Sequence, residues 1–232
     1  MGKRRLIFVV LCVLLVAGSA PAAPGDIRTI AGGGIGDGGP AKPAILSTPW
    51  ALQLAPDGSL LVADLANNRI RRITPGTDGV HNGDPSETIS TIAGNGENRS
   101  AGDGGPASAS SMYFPHDLAF DPAGNLWVVT DITAARLNDD ARYTGFRNNG
   151  MFFVPTSGPG AGVALQFASA PCESELAGPS WTPARDTMFL SVQHPGEGYG
   201  IRGAGVAAPR GSNWPGGRAN DPPLPAVVAI RQ

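Results

Sequence analysis

The chain has 232 residues, enough for one domain with a sizeable core. Gly (33) and Pro (22) make up almost a quarter of it and charged residues only 16%, a balance that suits short strands joined by many turns and excludes long helices. The formal net charge is −2 and no long basic block occurs beyond the first residues, which excludes a nucleic-acid-binding surface.

The chain opens on Lys3, Arg4 and Arg5, followed by an apolar run over 6–17 that is too short to span a bilayer. Ala20-Pro21-Ala22 supplies a small-x-small cleavage site. Residues 1–22 therefore read as a signal peptide cut after Ala22, which sends the mature chain to the periplasm or outside the cell with no membrane attachment left. The mature chain, 23–232, keeps 14 basic and 19 acidic residues once those three cations are gone. Its one cysteine, Cys172, leaves no internal disulfide, so packing alone must hold the fold.

Strands are predicted at 27–31, 51–55, 60–64 and 69–74 in a first unit. A second unit has them at 88–93, 118–121, 126–131 and 151–155. A third has them at 163–168, 178–182, 188–193 and 226–230. The division rests on an internal repeat. LAPDGSLLVAD (54–64) returns as FDPAGNLWVVTD (120–131) and as WTPARDTMFLSV (181–192). Each copy reads as a strand end, a Pro-containing tight turn and a strongly apolar strand. A second repeat supports it: T-I-A-G at 29–32 recurs at 91–94, and G-D-G-G-P-A at 36–41 recurs at 102–107. Repeating β units that cannot bury their own faces must stack on neighbours. The fold class expected is all-β: a single, partial β-propeller of about three four-stranded blades with long Gly/Pro-rich loops. Three blades leave open blade edges, which invite self-association.

Chemistry-bearing residues cluster at a few places. Cys172, Glu173 and Glu175 stand together before a predicted strand; carboxylates suit hard cations and a thiolate suits iron or zinc. Asp131 and Asp64 end equivalent apolar strands, where each either ligates a metal or caps the next turn. His194 and Glu197 follow the third apolar strand, and a His with a Glu three residues on suits acid–base work or a metal. His81 and His116 are expected at the surface or in turns. Gly34-x-Gly36-x-x-Gly39 matches a dinucleotide fingerprint only formally, since Pro40 and Pro43 prevent the helix it requires.

Two resemblances follow from these motifs. T-I-A-G, G-D-G-G-P-A and the A-D-L-A-N-N-R-I-R stretch resemble NHL-repeat propellers, with 26–113 as the NHL-like part. The part at 114–232 resembles PhoX-type alkaline phosphatases. That likeness is carried by Leu118-Ala119-Phe120-Asp121-Pro122, by Asn149-Gly150-Met151-Phe152-Phe153-Val154-Pro155, by Glu175-Leu176-Ala177-Gly178-Pro179 and by His194-Pro195-Gly196-Glu197. The resemblance implies an exported propeller that holds calcium, with iron beside it, and hydrolyses phosphate esters. It places Glu175 at a metal-ligand position; Asp131 and Cys172 join it as candidate ligands from their own settings, with His194 or Glu197 near the phosphate. PhoX enzymes are much longer, so an incomplete or weak enzyme is expected. The alternative reading is a non-catalytic NHL-repeat propeller that binds a protein or glycan through its loops.

Overall fold

A computed structural model of the protein describes residues 36–205 and 210–231. The leader over 1–22 and the strand expected at 27–31 lie outside the described residues. Three antiparallel sheets follow one another. The first runs β1 (Pro49–Leu54), β2 (Leu60–Asp64), β3 (Arg69–Ile73) and β4 (Ile89–Ala93) in spatial order. The second runs β5 (Pro115–Phe120), β6 (Leu126–Thr130), β7 (Gly150–Val154) and β8 (Leu165–Ser169). The third has three strands among the described residues: β9 (Glu175–Trp181), β10 (Thr187–Gln193) and β11 (Ala226–Arg231). The first strand of each sheet packs on the first strand of the next, β1 on β5 and β5 on β9. This is the partial propeller that the repeat predicts.

The blade boundaries are displaced by one strand from the sequence expectation. The strands predicted at 88–93 and 163–168 were assigned to open the second and third units. Instead each closes a sheet, as β4 on β3 and β8 on β7. Among the described residues the third sheet consequently has no fourth strand. The reason lies in the G-D-G-G-P-A loops. Gly38 and Ala41 donate to the carbonyls of Ile89 and Glu87. Their repeats Gly104 and Ala107 donate in the same way to Ala164 and Gly162. Each loop is thereby sewn to the outer strand of the sheet it leads into. Asp37 accepts from Thr91 Oγ1 at 2.7 Å and Asp103 from the Gln166 backbone at 2.6 Å, so both motif carboxylates serve the blade itself.

Alternation along the second strand of each sheet builds the cores. In β6, Leu126 and Val128 face the first sheet while Trp127 and Val129 face the third. All five residues of β6 are buried, which is why the segment reads as an unbroken apolar run. In β2, Leu61 and Ala63 join the same inter-sheet core as Leu126, and Val62 lies on the opposite face. In β10, Met188, Leu190 and Val192 pack toward Trp127. Fully burying a side chain of this size is worth about 1.5–3 kcal/mol, so the inter-sheet layers carry the fold.

The Pro turns begin alike in all three copies, Gly58, Gly124 and Arg185 donating back to the carbonyls of Ala55, Asp121 and Thr182, but the third turn is one residue longer. Ala55, Asp121 and Thr182 donate across the turn to Ser59, Asn125 and Thr187. The left-handed residue is Gly58 in the first, Gly124 in the second and Arg185 in the third. One short helix, α1 (Ala134–Asp139), occupies a stretch expected to be loop, with Ala134 and Leu137 buried. Among the described residues no helix is long and apolar enough to cross a membrane.

Asp64, at the end of β2, is fully buried and serves the fold. It accepts from the Ser47 backbone at 2.7 Å, from Asn67 Nδ2 at 2.8 Å and from Arg71 Nη1 at 3.3 Å. Removing one partner of a buried ion pair costs about 3–5 kcal/mol. Urea unfolding of Asp64→Ala should show a stability loss of about that size, with no effect of calcium on the difference.

Candidate functional site

The strand ends beside the innermost strands converge on one rim. There Pro49 pairs with Asp64, Pro115 with Thr130, and Glu175 with Gln193. Asp131 leaves β6 at this rim, its backbone N–H donating to the Phe114 carbonyl. Glu175 opens β9 in the neighbouring sheet. Glu197 lies in the turn after β10, where its N–H donates to the His194 carbonyl at 2.9 Å.

One buried side chain positions the first two. Asn149 Oδ1 accepts from Thr130 Oγ1 at 3.1 Å and from the Ile132 N–H at 2.5 Å. Its Nδ2 donates to the carbonyls of Ile132 at 2.9 Å and Ser174 at 2.8 Å. Thr130 and Ile132 flank Asp131, and Ser174 precedes Glu175. The two sheets are also joined directly, since the Gly178 N–H donates to Asp117 Oδ2 at 2.9 Å.

The electrostatics are those of carboxylates held too close together. Burial, the neighbouring charge of Asp131, its hydrogen bond to Asp131 and the charge of Glu197 push the Glu175 carboxyl up to about 7. Asp131 Oδ1 is buried and accepts no hydrogen bond. Among the described residues the basic group paired with Asp131 is His116, whose Nε2 stands 3.6 Å from Oδ2 and pairs ionically whenever the imidazole is protonated. His116 is therefore a partly buried rim residue. Its ring lies 5.1 Å from that of Trp50 on β1. Its position after the Phe114 turn carried no sequence signal for this role.

The other expected residues are placed as follows. His194 is exposed with φ +48° and helps form the turn that presents Glu197. Cys172 is half-buried, and burial pushes its thiol up, with Arg202 opposing and Glu173 reinforcing. Among the described residues Cys172 belongs to no group of three or more His, Cys, Asp or Glu side chains that could hold a metal. Glu173 is buried and structural. Its carboxylate accepts from Asn138 Nδ2 at 2.7 Å and from the backbones of Tyr199 at 3.0 Å and Gly211 at 3.1 Å. It thereby ties α1 to the long loop after β10.

The oxygen donors at the rim suit a hard cation: clustered carboxylates, one buried oxygen without a donor, and repulsion that positive charge would relieve. Yet among the described residues no group of three or more His, Cys, Asp or Glu side chains closes around a metal position. The donor chemistry fits calcium, and the coordination is open.

An all-β partial propeller with an acidic rim defines the class. The family described as alkaline phosphatase PhoX matches residues 63–196, more than half of the chain. The chain belongs to that family. It is similar to a solved structure of Pseudomonas fluorescens PhoX in complex with vanadate, a transition-state analogue, at 24% identity and a TM-score of 0.59. That match covers 82% of this chain and 34% of the other, so the chain spans about a third of that PhoX. The gluconolactonase XC5397 from Xanthomonas campestris also matches, at 13% identity over 65% of this chain and 56% of the other, but its TM-score of 0.30 is too low to support an argument. No curated protein matches the chain.

The titration of Glu175 gives a signed expectation. Its folded value, about 7, lies above its ordinary 4.5. The associated stability is fully present below 4.5 and is lost as pH rises through 7. In the presence of a chelator, thermal melting should therefore fall across that window, and Glu175→Gln should flatten the fall. A melting profile unchanged by the substitution would contradict the placement of these carboxyls.

Proposed function

We propose that this chain is an exported propeller whose rim binds one hard cation at Asp131 and Glu175, with Glu197 alongside, and through it a phosphate monoester. The observation that carries this reading is that Asn149 holds the segments of Asp131 and Glu175 together across two blades, with a buried Asp131 oxygen that accepts no hydrogen bond. Membership of the PhoX family supports phosphate esters as the substrate class. A cation there would supply Lewis-acid polarisation of the phosphoryl oxygens. Asp131 and Glu175 would hold it, and Glu197 and His194 would face the ester as proton-exchanging groups.

The same geometry argues for low turnover. Calcium takes about six to eight oxygens, and these carboxylates leave most positions to water. The NHL-like reading, with a protein or glycan on the loops, gains no specific support. Its signature carboxylates, Asp37 and Asp103, are engaged within their own blades.

An aryl phosphate assay of the mature chain loaded with calcium and iron tests this. Turnover should lie at or near background, while calcium binding weakens in Glu175→Gln. Robust hydrolysis abolished by Glu175→Ala would overturn the weak-enzyme part. Calcium binding that ignores Glu175 would overturn the site.

A further inference from the structure

Arginines that serve this fold pair with carboxylates. Arg71 is closed by Asp37 and Asp64, Arg142 by Asp140 and Arg210 by Asp139. Arg136, on α1, is held differently. It is half-buried, and among the described residues no carboxylate forms an ion pair with it. Its Nη1 donates instead to the Tyr113 hydroxyl at 3.0 Å.

Tyr113 does not offset the charge. Its own proton is donated to the Tyr143 hydroxyl at 3.0 Å. Burial, together with that hydrogen bond, pushes the Tyr113 phenol well above its ordinary range, against the opposing charge of Arg136. The phenol therefore stays neutral. The remaining neighbours are ring faces: the guanidinium carbon lies 4.7 Å from the Phe114 ring centre and 5.9 Å from that of Tyr143. Rings hold a guanidinium in place and leave its N–H edge for another partner. That edge is a planar fork of donors, of which the Tyr113 bond uses a single one.

The same contacts set this charge beside the acidic rim. Phe114 immediately precedes β5, and its carbonyl accepts from the Asp131 N–H at 3.0 Å. The helix that carries Arg136 begins at Ala134, just after Asp131 and Ile132. Ala134 also meets the turn of Glu197, since a Cβ on Gly198 would lie 3.2 Å from the Ala134 Cβ. Arg136 thus stands on a short helix set between Asp131 and the Glu197 turn.

We propose that Arg136 is the anion-binding and specificity-determining residue of the rim, its guanidinium taking two oxygens of a phosphate monoester whose third is held by the cation at Asp131 and Glu175. The inference rests on the cation site proposed above. A guanidinium fork matches a pair of phosphate oxygens. A monoester offers three acceptor oxygens, so the cation and the fork are served together. A diester has lost one of the three and cannot serve both. The aromatic shelf of Phe114 and Tyr143 fixes the fork beforehand, so little side-chain freedom is lost when the ester arrives.

The test is calorimetric, on the mature chain, Arg136→Gln and Arg136→Lys, each with its melting temperature checked. Calcium is titrated first. Phenylphosphonate, a non-hydrolysable analogue with three free oxygens, is then titrated into the calcium-loaded proteins, and its monomethyl ester in a parallel run. Calcium uptake should be no weaker in either variant. Phenylphosphonate should bind about ten- to hundredfold more weakly to Arg136→Gln. Arg136→Lys, which keeps the charge but not the fork, should recover only part of the loss. The monomethyl ester should bind weakly to the wild-type chain and be indifferent to Arg136→Gln. A wild-type chain that takes up no calcium would overturn both this inference and the cation site. Normal calcium uptake with no phenylphosphonate binding, with equal binding in all three proteins, or with no preference for phenylphosphonate over its methyl ester would overturn this inference alone.

Discussion

The candidate site depends on one buried amide. Asn149 uses its full hydrogen-bonding capacity, two acceptor positions and two donors, on the segments that carry Asp131 and Glu175. It joins the end of β6 in the second sheet to the entry of β9 in the third. Without it, the Ile132 N–H and the carbonyls of Ile132 and Ser174 would be left buried without these partners, at about 1–3 kcal/mol each. The proximity of two like charges is thus imposed by neutral hydrogen bonds behind them. Supporting contacts of this kind orient metal-binding carboxylates in general.

Comparison of Asp64 with Asp131 shows how the same strand end serves two purposes. Both follow the second strand of a blade. Asp64 is enclosed by a backbone N–H, an amide and the Arg71 guanidinium, and its charge is fully used. Asp131 has a neighbouring acid where Asp64 has an arginine, and pairs instead with a histidine. One carboxylate stabilises its blade. The other is held at an electrostatic cost that a bound cation would relieve, and perturbed carboxyls of this kind mark functional positions.

Much of this fold was legible in the sequence because the physics is local. The Pro turns need a left-handed residue at one position, and Gly58 and Gly124 announce it; in the third copy Arg185 takes that conformation and the likeness weakens. The apolar run of β6 marks a strand buried on both faces. The grouping of strands was not legible, because 88–93 and 163–168 look alike whether they open a blade or close one. Only the long-range bonds from Gly38 and Gly104 decide it. At the site, Asp131, Glu175 and Glu197 stood out as carboxylates near strand ends. Their proximity did not, since 44 residues separate the first two. Asn149 entered only as the first residue of a family-like stretch, with no role attached, and His116 gave no signal, because an amide before a strand and a lone histidine are ordinary until the fold brings partners to them.

The most direct test of this account is calorimetric calcium titration of the mature chain and of Asn149→Ala at pH 7.5. The wild-type chain should bind one calcium weakly. The variant, with both carboxylates present but no longer held together, should bind about 10–100-fold more weakly, the range typical for loss of a supporting contact, while its far-ultraviolet spectrum keeps the β signature. Equal affinity in the two proteins would contradict the claim that Asn149 creates the site, and a wild-type chain that takes up no calcium would contradict the site itself.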